Sequence, residues 1–336
     1  MTVAPPSPAA RVAAREHVDA LAVPQGALGQ LAELGVWLAS VQDRVPPTPP
    51  KHVHAVVFAG DHGVAEHAVS AYPREITPMM VRAFVAGTAG VAVLARQHDV
   101  RLRVLDIAVD ADLSDLGVDS YKVRRSSRPL HLGDALSAGE LEQSLAAGRT
   151  VAAEEIAAGA ELLISGDMGI GNTTPAAALI AAALGLPAEE VAGRGTGVDD
   201  EGLAHKIAVI DTALRRVGHV DDPHTLLAAL GSADIAASAG FMAAAAESGV
   251  PVVVDGLIAV AAGLLADRLS PGASAWFVAG HRSTEPAQSL ALDKLGLVPV
   301  LDLGLRLGEG SGAVAAVPLL RSAALLMNEV ARLDEL

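Results

Sequence analysis

Six short runs of aliphatic residues, spread over most of the chain, restrict its fold more than any other feature. They are residues 54–59, 102–109, 162–165, 252–255, 275–279 and 298–303. None of them alternates apolar with polar residues, which is the pattern expected of strands buried on both faces. Longer segments with helical spacing lie between them, at residues 77–96, 138–158, 174–184 and 199–217. This alternation predicts an α/β fold with a doubly wound, mostly parallel sheet.

Both chain ends lie outside this array and have helical character. We expect residues 1–45 and 313–336 to pack together as a small helical domain formed by both termini. Residues 46–312 would then form the large α/β nucleotide-binding domain, and the proline-rich stretch 44–52 would be the linker. The alternative is that both ends simply cover the sheet as extra layers.

Composition and charge limit the kinds of function. The 336 residues are 51% apolar but only 2% aromatic, which predicts an aliphatic core. The absence of cysteine excludes disulfides, thiol nucleophiles and zinc-thiolate sites. A formal net charge of −15 argues against nucleic acid and anionic membranes as partners, so local donors must hold any anionic substrate. With no secretory signal pattern and no uninterrupted apolar run of about 18 residues, we expect a cytoplasmic protein.

Glycine and polar residues follow the predicted strands where each one ends. Asp61 and His62 follow the first, Asp167 the third, and His281 the fifth, while Asp255 ends the fourth. Ligands of open, Rossmann-like α/β sheets bind outside the carboxyl ends of the strands. The sequence therefore predicts a ligand site at this edge.

Two glycine-rich segments favour an anion near that edge. The first, LLISGDMGIGNTTPAAA, has a glycine-rich turn before a helix start, where free N–H groups and the helix dipole suit a phosphate. It has no Walker A lysine, and Pro175 breaks a dinucleotide fingerprint. The second, AGRGTGVDDEGLAHK, precedes a helix that we expect to begin at Asp199 or Asp200. The alternative for each segment is ordinary turn chemistry without a ligand.

Three other groups of polar residues have competing interpretations. Asp61, His62 and His67 match no standard metal spacing, and we interpret them as hydrogen-bonding residues at a strand end. His281 to Ser283 are donors able to hold a ribose or phosphate, before a helix start at Glu285–Pro286. Glu309, framed by glycines, is either a helix N-terminal charge or a carboxylate that approaches a ligand.

Taken in series, these segments resemble one known family. GDHGV, GDMGIGNTTPAAA, GRGTGVDDEGLAHK, VVVDGLI, AGHRSTEPA and LRLGEGSGAVAA occur in the order and spacing of the nicotinate-nucleotide–dimethylbenzimidazole phosphoribosyltransferases of cobalamin biosynthesis, from residue 53 to 316. The resemblance implies a homodimer that needs no metal or organic cofactor. It implies transfer of 5-phosphoribosyl from nicotinate mononucleotide to 5,6-dimethylbenzimidazole, giving nicotinate and α-ribazole 5′-phosphate.

The resemblance also assigns roles to residues. It makes Glu309 the catalytic base and gives Asp167 the place of a family glutamate, with one methylene less reach. Met79 stands where many members have a glutamine near the acceptor, so phenolic, purine or other benzimidazole bases stay open. The remaining implied substrate-binding residues are Ser70, Gly169, Gly171, Asn172, Thr173, Gly193, Gly195, Lys206, Ser283, Arg306, Leu307 and Gly308.

Two other functions compete with this one. A nucleotide-dependent oxidoreductase fits the fold, but the broken dinucleotide fingerprint and the second anion loop disfavour it. A nucleotide-binding regulatory protein without turnover is the non-enzymatic alternative, and the intact Glu309 argues against it.

Overall fold

The strands form one parallel sheet in the computed structural model, which describes residues 2–336. They are β1 (Val53–Gly60), β2 (Val100–Ala108), β3 (Leu162–Met168), β4 (Val252–Val254) and β5 (Phe277–Ala279). Their order is β2-β1-β3-β4-β5, and all neighbours run parallel. The predicted α/β class and parallel sheet are confirmed. This order places the topological switch point, where such sheets bind ligands, between β1 and β3.

Helices cover both faces of the sheet. They are α1 (Pro8–Asp19), α2 (Gln30–Gln42), α3 (Ile76–Val85), α4 (Gly90–Gln97), α5 (Ala138–Ala157), α6 (Thr173–Leu184), α7 (Ala188–Val191), α8 (Asp200–Val217), α9 (Pro223–Leu230), α10 (Ala233–Glu247), α11 (Leu257–Leu269), α12 (Pro286–Leu295) and α13 (Ser311–Glu329). Val57 and Ile164 pack in one core with α2, α3, α4 and α13. Phe58 and Leu163 pack in the other, with α5, α6 and α8 to α12. Both layers are aliphatic, as the composition predicts.

Two predicted elements are wrong. The helix expected over residues 77–96 is two helices, α3 and α4, because the chain turns at Gly87, whose φ is 74°. The strand expected over residues 298–303 is reduced to an isolated bridge between Leu301 and His281, with Val300 donating its N–H to the Ala279 carbonyl at 2.9 Å. Pro299 lies within that run and has no N–H to donate, so a continuous ladder beside β5 does not form.

The terminal helices meet in a small apolar cluster. Ala14 of α1, Val36 and Ala39 of α2, and Met327 of α13 form it. The same α2 and α13 also contribute to the core against the sheet, for example through Val317. The structure thus joins both chain ends at one place, and their separation as a domain stays a prediction.

Two segments are apolar and long enough, by length and composition alone, to cross a membrane. They are Ile76–Gln97 and Ser311–Glu329. The first is divided into α3 and α4, and the second packs against the sheet and α2. Helices that pack into a protein core pass the same test of length and composition, so the two segments are weak evidence for a membrane span.

Candidate active site

Loops at the carboxyl edge of the sheet enclose a pocket with a cavity volume of about 130 Å³. Several residues expected from the sequence line it: Asp167, Gly169, Asn172, Thr173, Gly195, Ser283, Arg306, Leu307, Gly308 and Glu309. The other lining residues are Met168, Ile170, Thr196, Gly256, Leu257, Ile258, His281 and Glu285. The structure therefore brings the two glycine-rich segments and the Glu309 segment to one place.

Glu309 is a buried carboxylate, 5% exposed, at the end of this pocket. Its Oε2 accepts a hydrogen bond of 3.0 Å from the backbone N–H of Val91, in the first turn of α4. Its backbone is left-handed, with φ of 67°, a strained conformation of the kind that clusters at functional sites. Burial raises the pKa of Glu309, the Val91 N–H opposes that shift, and the Asp255 charge adds to it. The Glu309 carboxylate thus accepts an N–H at the N-terminus of α4, and not one of α13, the helix that follows it in sequence.

Gly166 lets the Glu309 segment come this close to the sheet. A side chain at this position of β3 would overlap the backbone carbonyl of Glu309. Gly310, directly after Glu309, donates its N–H to Asp255 Oδ2 at 3.1 Å. The strand end and Asp255 together fix the backbone that carries the carboxylate.

Asp167, at the end of β3, is also buried against the pocket. Asn172 donates to its Oδ2 at 2.9 Å. Burial raises the pKa of Asp167 well above its ordinary value, and nearby charges on Asp255, Asp234 and Glu309 raise it further. A carboxyl in these surroundings favours its protonated, neutral form.

Two buried histidine–aspartate pairs adjoin the pocket: His281 of one pair lines the pocket, and His62 of the other lies against Gly169. His281 Nε2 is 3.5 Å from Asp255 Oδ1, and His62 Nε2 is 3.4 Å from Asp234 Oδ2. Asp255 also accepts the backbone N–H of Ala313 at 2.8 Å, so this carboxylate anchors the start of α13. Burial raises the pKa of Asp255, while His281 and the backbone N–H groups oppose that shift. Asp255 and Asp234 thus raise the pKa of Asp167, and Asp255 also raises the pKa of Glu309.

Lys206 lies under the second glycine-rich loop and not in the pocket wall. Its side chain is fully buried, and its Nζ donates to Thr173 Oγ1 at 2.8 Å and to the carbonyl of Gly193 at 2.9 Å. Burial lowers the pKa of Lys206 to about 8, although Glu285 opposes that shift. Since Thr173 Oγ1 accepts from Lys206, its hydroxyl proton is available to a ligand.

Glu285 holds the same loop from the other side. Its Oε1 accepts the backbone N–H of Gly195 at 2.8 Å, and Gly193 packs directly against its carboxylate. As the sequence predicts, Glu285 precedes a helix that begins with Pro286. Its contact with Gly195, however, could not be expected from a helix-start motif.

The loop around residues 70–80, which the resemblance assigns to the acceptor base, lies beside the pocket. Ser70 Oγ is 3.1 Å from Thr196 Oγ1, and Thr196 is a pocket residue. Gly171, outside the pocket wall, packs close to Ala65 of the same loop region. Met79, on α3, is 62% exposed and does not line the cavity. Ser70 is thus connected to the pocket through Thr196, while Met79 lies farther out.

The histidines near the first strand do not converge. His54 Nδ1 pairs with Glu155 at 2.9 Å, and His67 stacks edge-on with His131 at 4.4 Å between ring centroids. Among residues 2–336, no group of three or more His, Asp or Glu side chains is arranged to hold a metal ion.

The arrangement combines a proton acceptor with anion-binding groups. Glu309 is a buried base with a raised pKa. The N-terminus of α6 and the Gly195 loop, between α7 and α8, add a helix dipole and the hydroxyls of Thr173 and Thr196. Thr196 and the contact from Glu285 to Gly195 were not expected as site features. Their signal in the sequence was only proximity to the glycine motifs.

Comparison with known proteins identifies relatives over almost the whole chain. A phosphoribosyltransferase family model matches residues 3–336. The nicotinate-nucleotide–dimethylbenzimidazole phosphoribosyltransferase of Mycobacterium avium strain 104 is 50% identical over 331 residues, which is 98% of this chain and 95% of the relative. The enzyme of the same name from Mycobacterium tuberculosis H37Rv is 49% identical over 334 residues, covering 99% of this chain and 92% of that one.

A solved structure agrees with the fold. The crystal structure of CobT from Thermus thermophilus superposes with a TM-score of 0.93 and 44% sequence identity, covering 98% of both chains.

Proposed function

Because this chain belongs to the nicotinate-nucleotide–dimethylbenzimidazole phosphoribosyltransferase family, we propose that it transfers 5-phosphoribosyl from nicotinate mononucleotide to 5,6-dimethylbenzimidazole. The products are nicotinate and α-ribazole 5′-phosphate, the nucleotide of the lower loop of cobalamin. The observation that carries the mechanism is Glu309, a buried carboxylate with a raised pKa at the edge of the pocket.

Glu309 acts as the general base. One benzimidazole nitrogen attacks C1′ of the ribose, and the bond between C1′ and the nicotinate nitrogen breaks with its electron pair leaving on nicotinate. The other nitrogen of the acceptor gives its proton to the Glu309 carboxylate, which keeps the attacking ring from becoming cationic. Such help is worth about 10²- to 10⁴-fold in rate, and a raised pKa improves the match to neutral pH.

Asp167 acts beside Glu309 as a neutral acid. Burial and the neighbouring carboxylates raise the pKa of Asp167, although the hydrogen bond from Asn172 opposes that shift, and a protonated carboxyl would orient the sugar instead of acting as a second base. A single negative carboxylate next to the reacting carbon avoids the like-charge repulsion that two ionised groups would create.

The donor phosphate binds between the start of α6 and the Gly195 loop. Asn172 and Thr173 open α6, and the dipole of this helix and the Thr173 hydroxyl attract the phosphate. Thr174 donates its N–H to the Gly171 carbonyl, and Pro175 has no N–H. Lys206 contributes through Thr173, whose Oγ1 it holds at 2.8 Å. Ser283, Arg306, Leu307 and Gly308, all in the pocket wall, surround the ribose and nicotinate.

The acceptor enters from the side of residues 70–80. Ser70 is connected to the pocket, and Met79 lies exposed on α3 at the same side. A methionine makes soft apolar contacts and offers no strong donor. Because Met79 lies outside the cavity, the proposed choice of dimethylbenzimidazole as acceptor rests on the family and not on this side chain.

The decisive test is incubation with nicotinate mononucleotide and a panel of benzimidazoles, phenols and purines. Mass spectrometry would follow nicotinate and the ribotide products. We expect stoichiometric nicotinate and α-ribazole 5′-phosphate with dimethylbenzimidazole. Tight binding of nicotinate mononucleotide with no product from any base would favour the regulatory alternative and refute the transferase.

The proposal also includes assembly and location. A homodimer is supported by apolar side chains left exposed on α3 and α4, including Val85 at 48% and Val93 at 45%. A cytoplasmic location is the one in which we expect it to work on its small-molecule substrates, and fractionation of a tagged chain tests it.

A further inference from the structure

The Gly195 loop, between α7 and α8, contacts the acceptor-side loop through the hydroxyl of Thr196. Thr196 Oγ1 accepts the backbone N–H of Ala71 at 3.0 Å and lies 3.1 Å from Ser70 Oγ. Ser70 Oγ in turn accepts the N–H of Tyr72 at 3.2 Å. One hydroxyl thus joins two segments that are 125 residues apart in sequence.

The opposite side of the same loop belongs to the donor half of the pocket. Gly195 donates its N–H to Glu285 at 2.8 Å, and Arg306 Nη1 reaches its carbonyl at 3.5 Å. Arg306 is three residues before Glu309 in sequence. A donor molecule in this part of the pocket therefore acts on the backbone next to Thr196.

The backbone conformation of the Gly195 loop depends on glycines, and its Thr196 is exposed. Gly195 and Gly197 have φ of 52° and 107°, so Thr196 lies between two left-handed residues. Thr196 is itself exposed and has no core packing to hold it. The Thr196 side chain is therefore positioned by its hydrogen bonds to the acceptor loop, while Glu285 and Arg306 hold the adjacent Gly195.

We propose that Thr196 is a positioning residue that couples donor binding to ordering of the acceptor loop, residues 70–72. This inference rests on the proposed function. When the donor anion fixes the Gly195 loop, Thr196 Oγ1 stays where Ala71 and Ser70 bond to it, and the acceptor pocket is formed before the base arrives. Coupling between two sites is reciprocal, so the base tightens donor binding by the same factor.

The test measures affinity for dimethylbenzimidazole by calorimetry, with and without ribose 5-phosphate, a donor fragment that has no leaving group. We expect ribose 5-phosphate to lower the Kd of the base about fivefold or more in the wild type, in the usual range of coupling. In Thr196→Val the ratio of the Kd values without and with ribose 5-phosphate should be close to one. Thr196→Ser, which keeps the hydroxyl, should retain it. In turnover, Thr196→Val should raise KM for the base while kcat changes less than about twofold.

Either of two results would overturn the inference: an unchanged ratio in Thr196→Val, or a loss in Thr196→Ser as large as in Thr196→Val. A wild type whose Kd for dimethylbenzimidazole is the same with and without ribose 5-phosphate would refute it as well. Thermal unfolding checks that the variants fold. If Thr196→Val does not fold, Thr196→Ala is measured in its place. Product formation by the wild type tests the proposed function separately, because the coupling is measured by binding alone.

Discussion

Glu309 combines two features that a general base needs at neutral pH. The N–H of Val91 orients its carboxylate, and burial raises its pKa. Glu309→Gln keeps the shape and removes the proton acceptor, so we expect kcat to fall about 10²- to 10⁴-fold with nucleotide affinity retained. In the wild type the rate should decrease as pH falls through the raised pKa of Glu309. The midpoint of this decrease should lie above the ordinary glutamate pKa of about 4.3. Steady-state kinetics against pH would measure both.

Asp167→Asn is the matched control for that change. Asparagine resembles the protonated carboxyl that the raised pKa of Asp167 favours, so we expect a loss of less than about tenfold in kcat. A loss as large as that of Glu309→Gln would show that Asp167 works ionised. Unchanged turnover in Glu309→Gln would remove Glu309 from the base role.

Lys206 gives the donor side its own pH dependence. Its pKa is lowered to about 8, so the free enzyme loses this cation as pH rises through that value. A neutral amine under Thr173 stabilises a phosphate less than an ammonium does. We expect KM for nicotinate mononucleotide to rise between about pH 7 and pH 9.5, since phosphate is already dianionic in that range.

Lys206→Met supplies the comparison. Its KM for the donor should be high already at pH 7 and should change little with pH, while KM for the base stays near the wild-type value. A methionine variant with the same rising profile as the wild type would assign the titration to another group.

At the residue scale, the sequence predicted which residues meet at the pocket better than it predicted their contacts. Glu309 and Asp167 could be placed in the pocket because each lies in a recognisable motif near the predicted end of a strand. Thr196 and Glu285 could not be identified, because their partners Ala71 and Gly195 are at least 90 residues away in sequence and bond through backbone N–H groups. No local pattern encodes such a pairing.

The break between α3 and α4 is the element on which the site depends. The apolar spacing of residues 77–96 favours one helix, and a continuous helix would have bonded the Val91 N–H within itself. Because the chain turns at Gly87, α4 has a first turn with unpaired donors, and Glu309 takes one of them. Helical periodicity cannot show where such a turn becomes useful to a side chain 218 residues later.

Gly166 is the strand position that admits the Glu309 segment. In Gly166→Ala the new methyl would overlap the Glu309 carbonyl, so the strand or the segment has to move. We expect overpacking to cost about 1–3 kcal/mol of stability and to lower kcat at least about tenfold. Chemical denaturation and initial rates would measure the two effects.

Gly139→Ala is the matched substitution. A methyl at Gly139, in the first turn of α5, meets nothing within 4 Å. Its stability should stay equal or rise slightly, since alanine favours a helix, and its turnover should be unchanged. A Gly166→Ala protein with wild-type kcat would mean that the Glu309 backbone tolerates displacement.

The strength of the sequence prediction also varied among the strands. Runs such as 162–165 lie between long helices and have no proline, and they became β3 with a confirmed parallel register. The run 298–303 is also largely aliphatic but contains Pro299 and Asp302, and it does not join the sheet as a strand. One missing N–H outweighed an apolar pattern there.

At the scale of the whole molecule, the net negative charge of the protein repels its anionic donor substrate. The chain has a formal net charge of −15, and the pocket region adds the carboxyls of Asp167, Asp234, Asp255 and Glu309. An anionic donor is therefore held against the overall field by short-range donors. The site therefore relies on the α6 dipole, on hydroxyl groups, on Arg306 and on one buried lysine. The raised pKa of Asp167 matters because the proton that it keeps reduces repulsion of the phosphate.

The exposed apolar surface beside β2 leads to the last prediction, which concerns assembly. Val85 lines a groove with Phe84, Leu102, Val104 and Val118, along an edge strand of the sheet. Apolar surface of this kind marks an interface, and a homodimer would use the same patch twice. We expect the wild type to sediment as a dimer at micromolar concentration. Val85→Glu should make it monomeric, because a carboxylate would be buried unpaired.

Val12→Glu distinguishes this groove from the terminal helices. Val12 is 60% exposed on α1, outside the elements that line the groove, and a glutamate there keeps helix propensity. It should sediment like the wild type if the interface is the groove. A monomeric Val12→Glu with a dimeric Val85→Glu would move the interface to the small cluster of α1, α2 and α13. A monomeric wild type would instead leave the apolar face of α3 and α4 as open surface, and the homodimer expected from the family resemblance would be wrong for this chain.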